Sequence, residues 1–280
     1  MRRTMMIAAV AALVAPIAAQ GQSWKTVTMS RQLQGNDEVR VSVEYAAGQF
    51  SVRSVDEGVL YRMNLRYDED KFEPVADFSG NRLRLGVDGI GRNITVSGKQ
   101  TGELELELAR GIPLDLDLQF GAVKADIDFG GLSLTGLSLS TGASESTIDV
   151  SEPNPLEMGT ARIEVGAAQF TALHLGNLNA ERIEVDAGVG AITLGLDGRW
   201  RRDTRLVIDM GLGSLELRVP EGLGIQLRKD SFLTALDSEG LVKRGDVYES
   251  LDFEDAQRRV IIDLDAAFGS VSVVWTRAER

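Results

Sequence analysis

The chain of 280 residues contains no cysteine. Disulfides, thiolate metal sites and cysteine nucleophiles are therefore excluded. It has one histidine, His174, in the stretch ALHLG. A Ser-His-Asp triad would have to use it, yet no Gly-x-Ser-x-Gly elbow supplies a nucleophile, so His174 reads as an ordinary strand residue. A histidine-based zinc site is excluded by count. Positive charge is in short supply: 30 Lys and Arg face 42 Asp and Glu, a net charge of −12. Such a chain repels phosphate rather than releasing counterions, which argues against nucleic acid as a partner. Prolines number 6 and aromatics make up 6%, against 30 glycines. That balance suits short strands joined by tight turns better than a helix bundle.

Long hydrophobic runs are also missing, except at the start. Arg2 and Arg3 precede the apolar run Met5–Ala19, the pattern of a secretory signal peptide over residues 1–19. The run is shorter than the roughly 20 residues a membrane span needs; an uncleaved anchor is the alternative. Cleavage that exposes Gln20 would leave a mature chain without a stable membrane span, exported to the periplasm or the exterior.

What is present is a repeat. In IEVDAGVGAITLGL (183–196), Ile183 and Val185 alternate with Glu184 and Asp186, and beyond the glycines Ile192, Leu194 and Leu196 form a second apolar set. The same design recurs at 114–129, 137–150, 206–217 and 261–275, with weaker copies at 163–175 and 43–53. Turns at Gly121, Gly142, Ala168, Gly188 and Gly211 are 20–26 residues apart, a solenoid-scale period. Each unit reads as two strands meeting at a corner where glycine permits positive φ or close backbone approach. One unit cannot bury its apolar face alone, whereas stacked units can. Alternation by itself also fits an antiparallel meander or sandwich; the missing Asn-Gly and Asp-Gly hairpin signals favour stacking. The expected fold is all-β: solenoid-like stacked repeats, similar to a right-handed β-helix, over 111–276, continuous with a β-rich N-terminal part over 20–110. Residues 277–280 form a polar tail.

Several features resemble a known family. Tyr67, Phe72 and Pro74 lie in the first half. Pro220 and Gly222, Tyr248 and Ser250, Val260–Leu264 and Gly269–Val273 follow the repeats. Together they resemble the bacterial toast-rack proteins, a family of unknown function, and the C-terminal part is similar to the domain of LiaF-like cell-wall stress regulators. The resemblance implies a β-solenoid-like fold and no catalytic residues. LiaF-like proteins carry membrane spans before this domain, whereas this chain has only its leader.

Chemistry is otherwise thin. The carboxylate pairs Glu103 with Glu105, Asp115 with Asp117, and Asp263 with Asp265 share strand faces, as glycoside hydrolysis requires. They also suit the solvated face of an acidic protein, and Trp24, Trp200 and Trp275 are too scattered for a sugar platform. Asp68, Glu69 and Asp70 lack the glycine spacing of a calcium loop. GIGRN (89–93) lacks a third glycine and a following helix, and reads as a turn. No metal or cofactor is expected. Two stretches are candidates for partner binding. In GRWRRDTR, Arg199, Arg201, Arg202 and Arg205 surround Trp200, placed either to dock an acidic partner or to pair with carboxylates of neighbouring repeats. Between Arg228 and Arg259 the period breaks, and Phe232, Leu233 and Leu236 mix with charges as an end cap or a recognition loop. The expectation is a non-catalytic exported scaffold or binding protein of the bacterial cell envelope, its partner an envelope protein or polymer, with self-association through end strands open. A sensor component of an envelope stress response and a polysaccharide-active β-helix enzyme are the alternatives.

Overall fold

The computed structural model describes residues 23–56, 58–90, 101–237 and 239–277, without the side chains of 231–233. The expected leader over 1–19, most of the 89–93 turn and the last tail residues lie outside the described residues. The N-terminal part forms β1 (Trp24–Gln32), β2 (Val39–Val55), β3 (Val59–Asp68), β4 (Phe72–Ser79), β5 (Arg82–Gly89) and β6 (Glu103–Ala109). Then come β7 (Pro113–Asp128), β8 (Ser133–Thr141), β9 (Glu145–Asp149) and β10 (Met158–Leu173). A 3₁₀ turn at Leu175–Leu178 leads to β11 (Ala180–Gly195) and β12 (Thr204–Pro220). The last elements are β13 (Gly224–Asp237), β14 (Leu241–Arg244), β15 (Val247–Ser250) and β16 (Arg259–Thr276).

The long strands are the repeat units, and they stack in parallel as a β-solenoid-like body. β2, β7, the β8–β9 pair, β10, β11 and β12 follow one another in register. Each long strand bends once at its glycine corner, and there the inward parity switches. In β11, Ile183, Val185 and Ala187 are buried before the corner, and Ile192 and Leu194 after it. In β12 the buried set changes from Leu206, Ile208 and Met210 to Leu215, Leu217 and Val219. In both, the first inward position of the second half comes five residues after the last of the first half, and an odd interval of this kind turns both halves of a rung toward one core.

Chain order breaks at the C-terminal end. β16 does not follow β13; it inserts between β12 and β13, parallel to both. The segment after Pro220 that breaks the sequence period is therefore itself a rung, with Ile225 and Leu227 buried against Val260 and Ile262. β14 and β15 form a hairpin whose β15 pairs only with the first half of β13. At the core-facing position level with Leu264, β13 carries Lys229, whose Nζ donates to the Thr234 carbonyl. An inward-pointing charge is one way proteins blunt a sheet edge. At the other end β2 splits: its first half pairs with β5 of the β4–β5 hairpin, and its second half with β6, which continues into β3 and β1.

Candidate functional site

The outer surface of the corners is where the rungs depart from a bland polar face. Just before the corner, Glu164, Asp186, Asp209 and Asp265 are paired rung to rung in one column. All four are exposed, and among the described residues none is in an ion pair. Two residues earlier, the next column is compensated. Arg162 and Arg182 bracket Glu184 at 3.0 and 2.5 Å, and Arg205 and Arg228 bracket Asp263 at 2.7 and 3.4 Å. Like charges directly opposite on adjacent strands repel. The Asp209 carboxyl is accordingly held above its ordinary value, by partial burial first and then by the neighbouring Asp186 and by Glu184.

Beside the acidic column lies a floor without side chains to speak of: Gly166, Gly188, Gly211 and Ala267. A Cβ on Gly188 would lie 2.7 Å from the Gly166 carbonyl oxygen, and one on Gly211 2.5 Å from that of Gly188. One residue further on, Ala167, Val189, Leu212 and Phe268 are paired in sequence up the stack. Val189, Leu212 and Phe268 are 50%, 51% and 46% exposed, three of the seven large exposed apolar side chains among the described residues. The next column, Ala168, Gly190, Gly213 and Gly269, closes the corner; the three glycines have φ of +152°, +148° and +143°. The result is a groove along the stack with a carboxylate wall and a glycine floor, and an exposed apolar ridge one position beyond that floor.

The family described as the N-terminal domain of toast_rack (DUF2154) matches this chain over residues 19–172 and 155–218. The chain belongs to the toast-rack family. Among solved structures it is similar to a provisionally named cell adhesion protein from Clostridium sporogenes. That match has 14% identity and a TM-score of 0.45, and covers 91% of this chain and 100% of that one. It is also similar to a provisionally named adhesin from Bacteroides fragilis, with 11% identity, a TM-score of 0.37, and coverage of 89% and 97%. A provisionally named lipid binding protein from Parabacteroides distasonis matches at 12% identity and a TM-score of 0.35, covering 90% and 96%. No curated protein matches the chain. The toast-rack match ends at residue 218, and the expected LiaF-like similarity of the C-terminal part is not shown.

The toast-rack rungs hold the two stretches singled out in the sequence at different edges. Arg205 is the second residue of β12, and Arg199, Trp200, Arg201 and Arg202 lie in the loop edge opposite the corners, between β11 and β12. There the Asn177 Oδ1 accepts the Arg199 N–H, and the Trp200 Nε1 donates to the Leu196 carbonyl. Trp200 packs on the core, Arg201 donates to the Pro155 carbonyl, Arg202 pairs with Glu157 at 2.6 Å, and Arg205 pairs with Asp263. Arg199 is exposed. Phe232, Leu233 and Leu236 are on β13 at and beyond its corner, with Leu233 level with Phe268. Leu236 is half-buried against the core, and the side chains of Phe232 and Leu233 are outside the described residues. The ridge was missed in the sequence although its signal is there. The middle residue of the Gly-x-Gly corners grows from Val to Leu, and becomes Phe at Ala-Phe-Gly.

His174 departs from the strand assignment. It ends β10 in a left-handed conformation, φ +54°, ahead of the 3₁₀ turn. Its Nδ1 lies 2.6 Å from Asp149 Oδ1 and its Nε2 3.3 Å from Asp197 Oδ2. Asp197 also accepts the His174 backbone N–H at 3.1 Å. Three successive turns of the stack thus meet at one imidazole, a signal that alternation in sequence does not carry. Among the described residues no group of three or more His, Asp or Glu is arranged to hold a metal ion, and no helix is long and apolar enough to cross a membrane.

Proposed function

We propose that this toast-rack protein is an exported, non-catalytic scaffold of the bacterial cell envelope that binds another envelope component along its corner groove. The observation that carries the reading is the Val189–Leu212–Phe268 ridge. The buried alternation of these rungs faces the core, whereas at the corners three consecutive rungs present Val189, Leu212 and Phe268 in register at the surface, three residues on from unpaired carboxylates. Exposed apolar groups in register mark interaction surfaces more often than scattered ones do. The Arg2–Ala19 leader pattern supports export, and family membership supports a scaffold role. The Arg199 loop and the β13 tip around Phe232, Leu233 and Leu236 would serve as secondary contacts at the other edge and the end.

The test is capture from envelope extracts on immobilised protein that lacks residues 1–19. The wild type should retain a defined component, and V189S/L212S should lose it while keeping the wild-type circular dichroism spectrum. No retention by wild-type protein would refute the binding role.

A further inference from the structure

Resting on that reading, we propose that the groove takes a basic amphipathic helix of a partner polypeptide, its apolar stripe on the ridge and its Lys and Arg residues on the acidic column. Charge complementarity fixes the sign of the partner. Glu164, Asp186, Asp209 and Asp265 stand in register without compensating cations among the described residues, on a face whose neighbouring column is fully paired. Cations set along them would relieve the like-charge repulsion between neighbouring rungs. The apolar ridge one step away requires that the same partner also present hydrophobic side chains, which a simple polyamine does not.

Spacing selects the helix. Rungs of a parallel stack repeat about every 4.8 Å. Side chains on one face of a helix recur about every 5.4 Å, one turn. Same-face residues of an extended strand recur about every 6.6 Å, two residues at 3.3 Å. A helix therefore stays within about 2 Å of register across the three intervals from β10 to β16, whereas a strand slips by more than a full rung. Those three intervals span about 14 Å, or roughly three helical turns. Glycine at the floor lets the helix approach the backbone, because a Cβ there would already crowd the carbonyl of the rung below. Helices with apolar residues at i, i+3, i+4 and i+7 dock into such grooves in general.

Three fluorescein-labelled peptides of about 14 residues test this by anisotropy: Leu and Lys at helical spacing, the same composition in strict alternation, and a Lys-Ser peptide of equal charge. The helical peptide should bind most tightly, with affinity falling as salt rises. V189S/L212S and D186N/D209N/D265N should each weaken it by about tenfold or more while leaving the circular dichroism spectrum unchanged. Equal binding of all three peptides, or of wild type and V189S/L212S, would reduce the effect to general attraction of a polycation to an acidic protein and overturn the proposal. Preference for the alternating peptide would overturn the helical register. Envelope capture that depends on Val189 and Leu212 but not on the three aspartates would leave the scaffold reading standing and remove the basic partner.

Discussion

At the scale of single residues, the acidic column contains one carboxyl held above its ordinary value, Asp209. Its raised carboxyl reflects partial burial and like charge, so ionisation favours the unfolded chain. A group whose folded value lies above its unfolded value stabilises only below the unfolded value, and that contribution is lost as pH rises through the folded one. D209N should therefore raise the urea midpoint at pH 7, by a few tenths of a kcal/mol on this solvated face. The gain should disappear near pH 3, where the carboxyl is protonated in both states; a D209N gain of equal size at pH 3 and 7 would mean that repulsion is not its cause. His174 makes the opposite kind of contact. Carboxylates lie beside both ring nitrogens, Asp149 at Nδ1 and Asp197 at Nε2, and opposite charge at that distance favours the imidazolium. As the chain's one histidine it gives one imidazole signal in an NMR titration, and D149N should lower the midpoint of that titration by removing one of the two carboxylates. An unchanged midpoint in D149N would show that the bracket does not hold a charge.

At the scale of the element, the corner is the device that makes a strand into a rung. Gly190 combines φ +152° with an approach so close that a Cβ would overlap the Ala168 carbonyl oxygen. Gly188 meets only the close approach, 2.7 Å from Gly166. G190A should accordingly cost about 1–3 kcal/mol, and more than G188A in the same urea melt; the reverse order would place the strained position on the wrong glycine. Much of the rung was legible in the sequence, since Ile183 and Val185 before the glycines and Ile192 and Leu194 after them state the parity switch directly. What was not legible has a physical cause. Leu212 was passed over because a Gly-x-Gly turn fixes its glycines and leaves the middle residue free, so its exposure follows only once neighbouring corners are stacked. His174 looked like a strand residue because Asp149 and Asp197 lie more than twenty residues away on either side.

At the scale of the whole molecule, the open matter in the sequence was which strand lies beside which. Leu206–Ile208 of β12, Ile225–Leu227 of β13 and Ile262–Leu264 of β16 present the same apolar alternation, so nothing local distinguishes sequential stacking from insertion of the last strand. In the structure β16 enters between β12 and β13, which makes the final segment of the chain part of the interior of the stack. The ridge depends on this order, because only insertion sets Phe268 against Leu212. It also places Leu233 one rung beyond Phe268. The chain's lack of cysteine makes the order directly measurable. Adjacent parallel rungs about 4.8 Å apart fall within the Cα separation of about 4.4–6.8 Å that a disulfide tolerates, and rungs two apart do not. On mild oxidation of the folded protein, V189C/L212C and L212C/F268C should form intramolecular disulfides, and L212C/L233C should stay reduced. A disulfide in L212C/L233C together with none in L212C/F268C would contradict both the inserted strand and the continuous ridge.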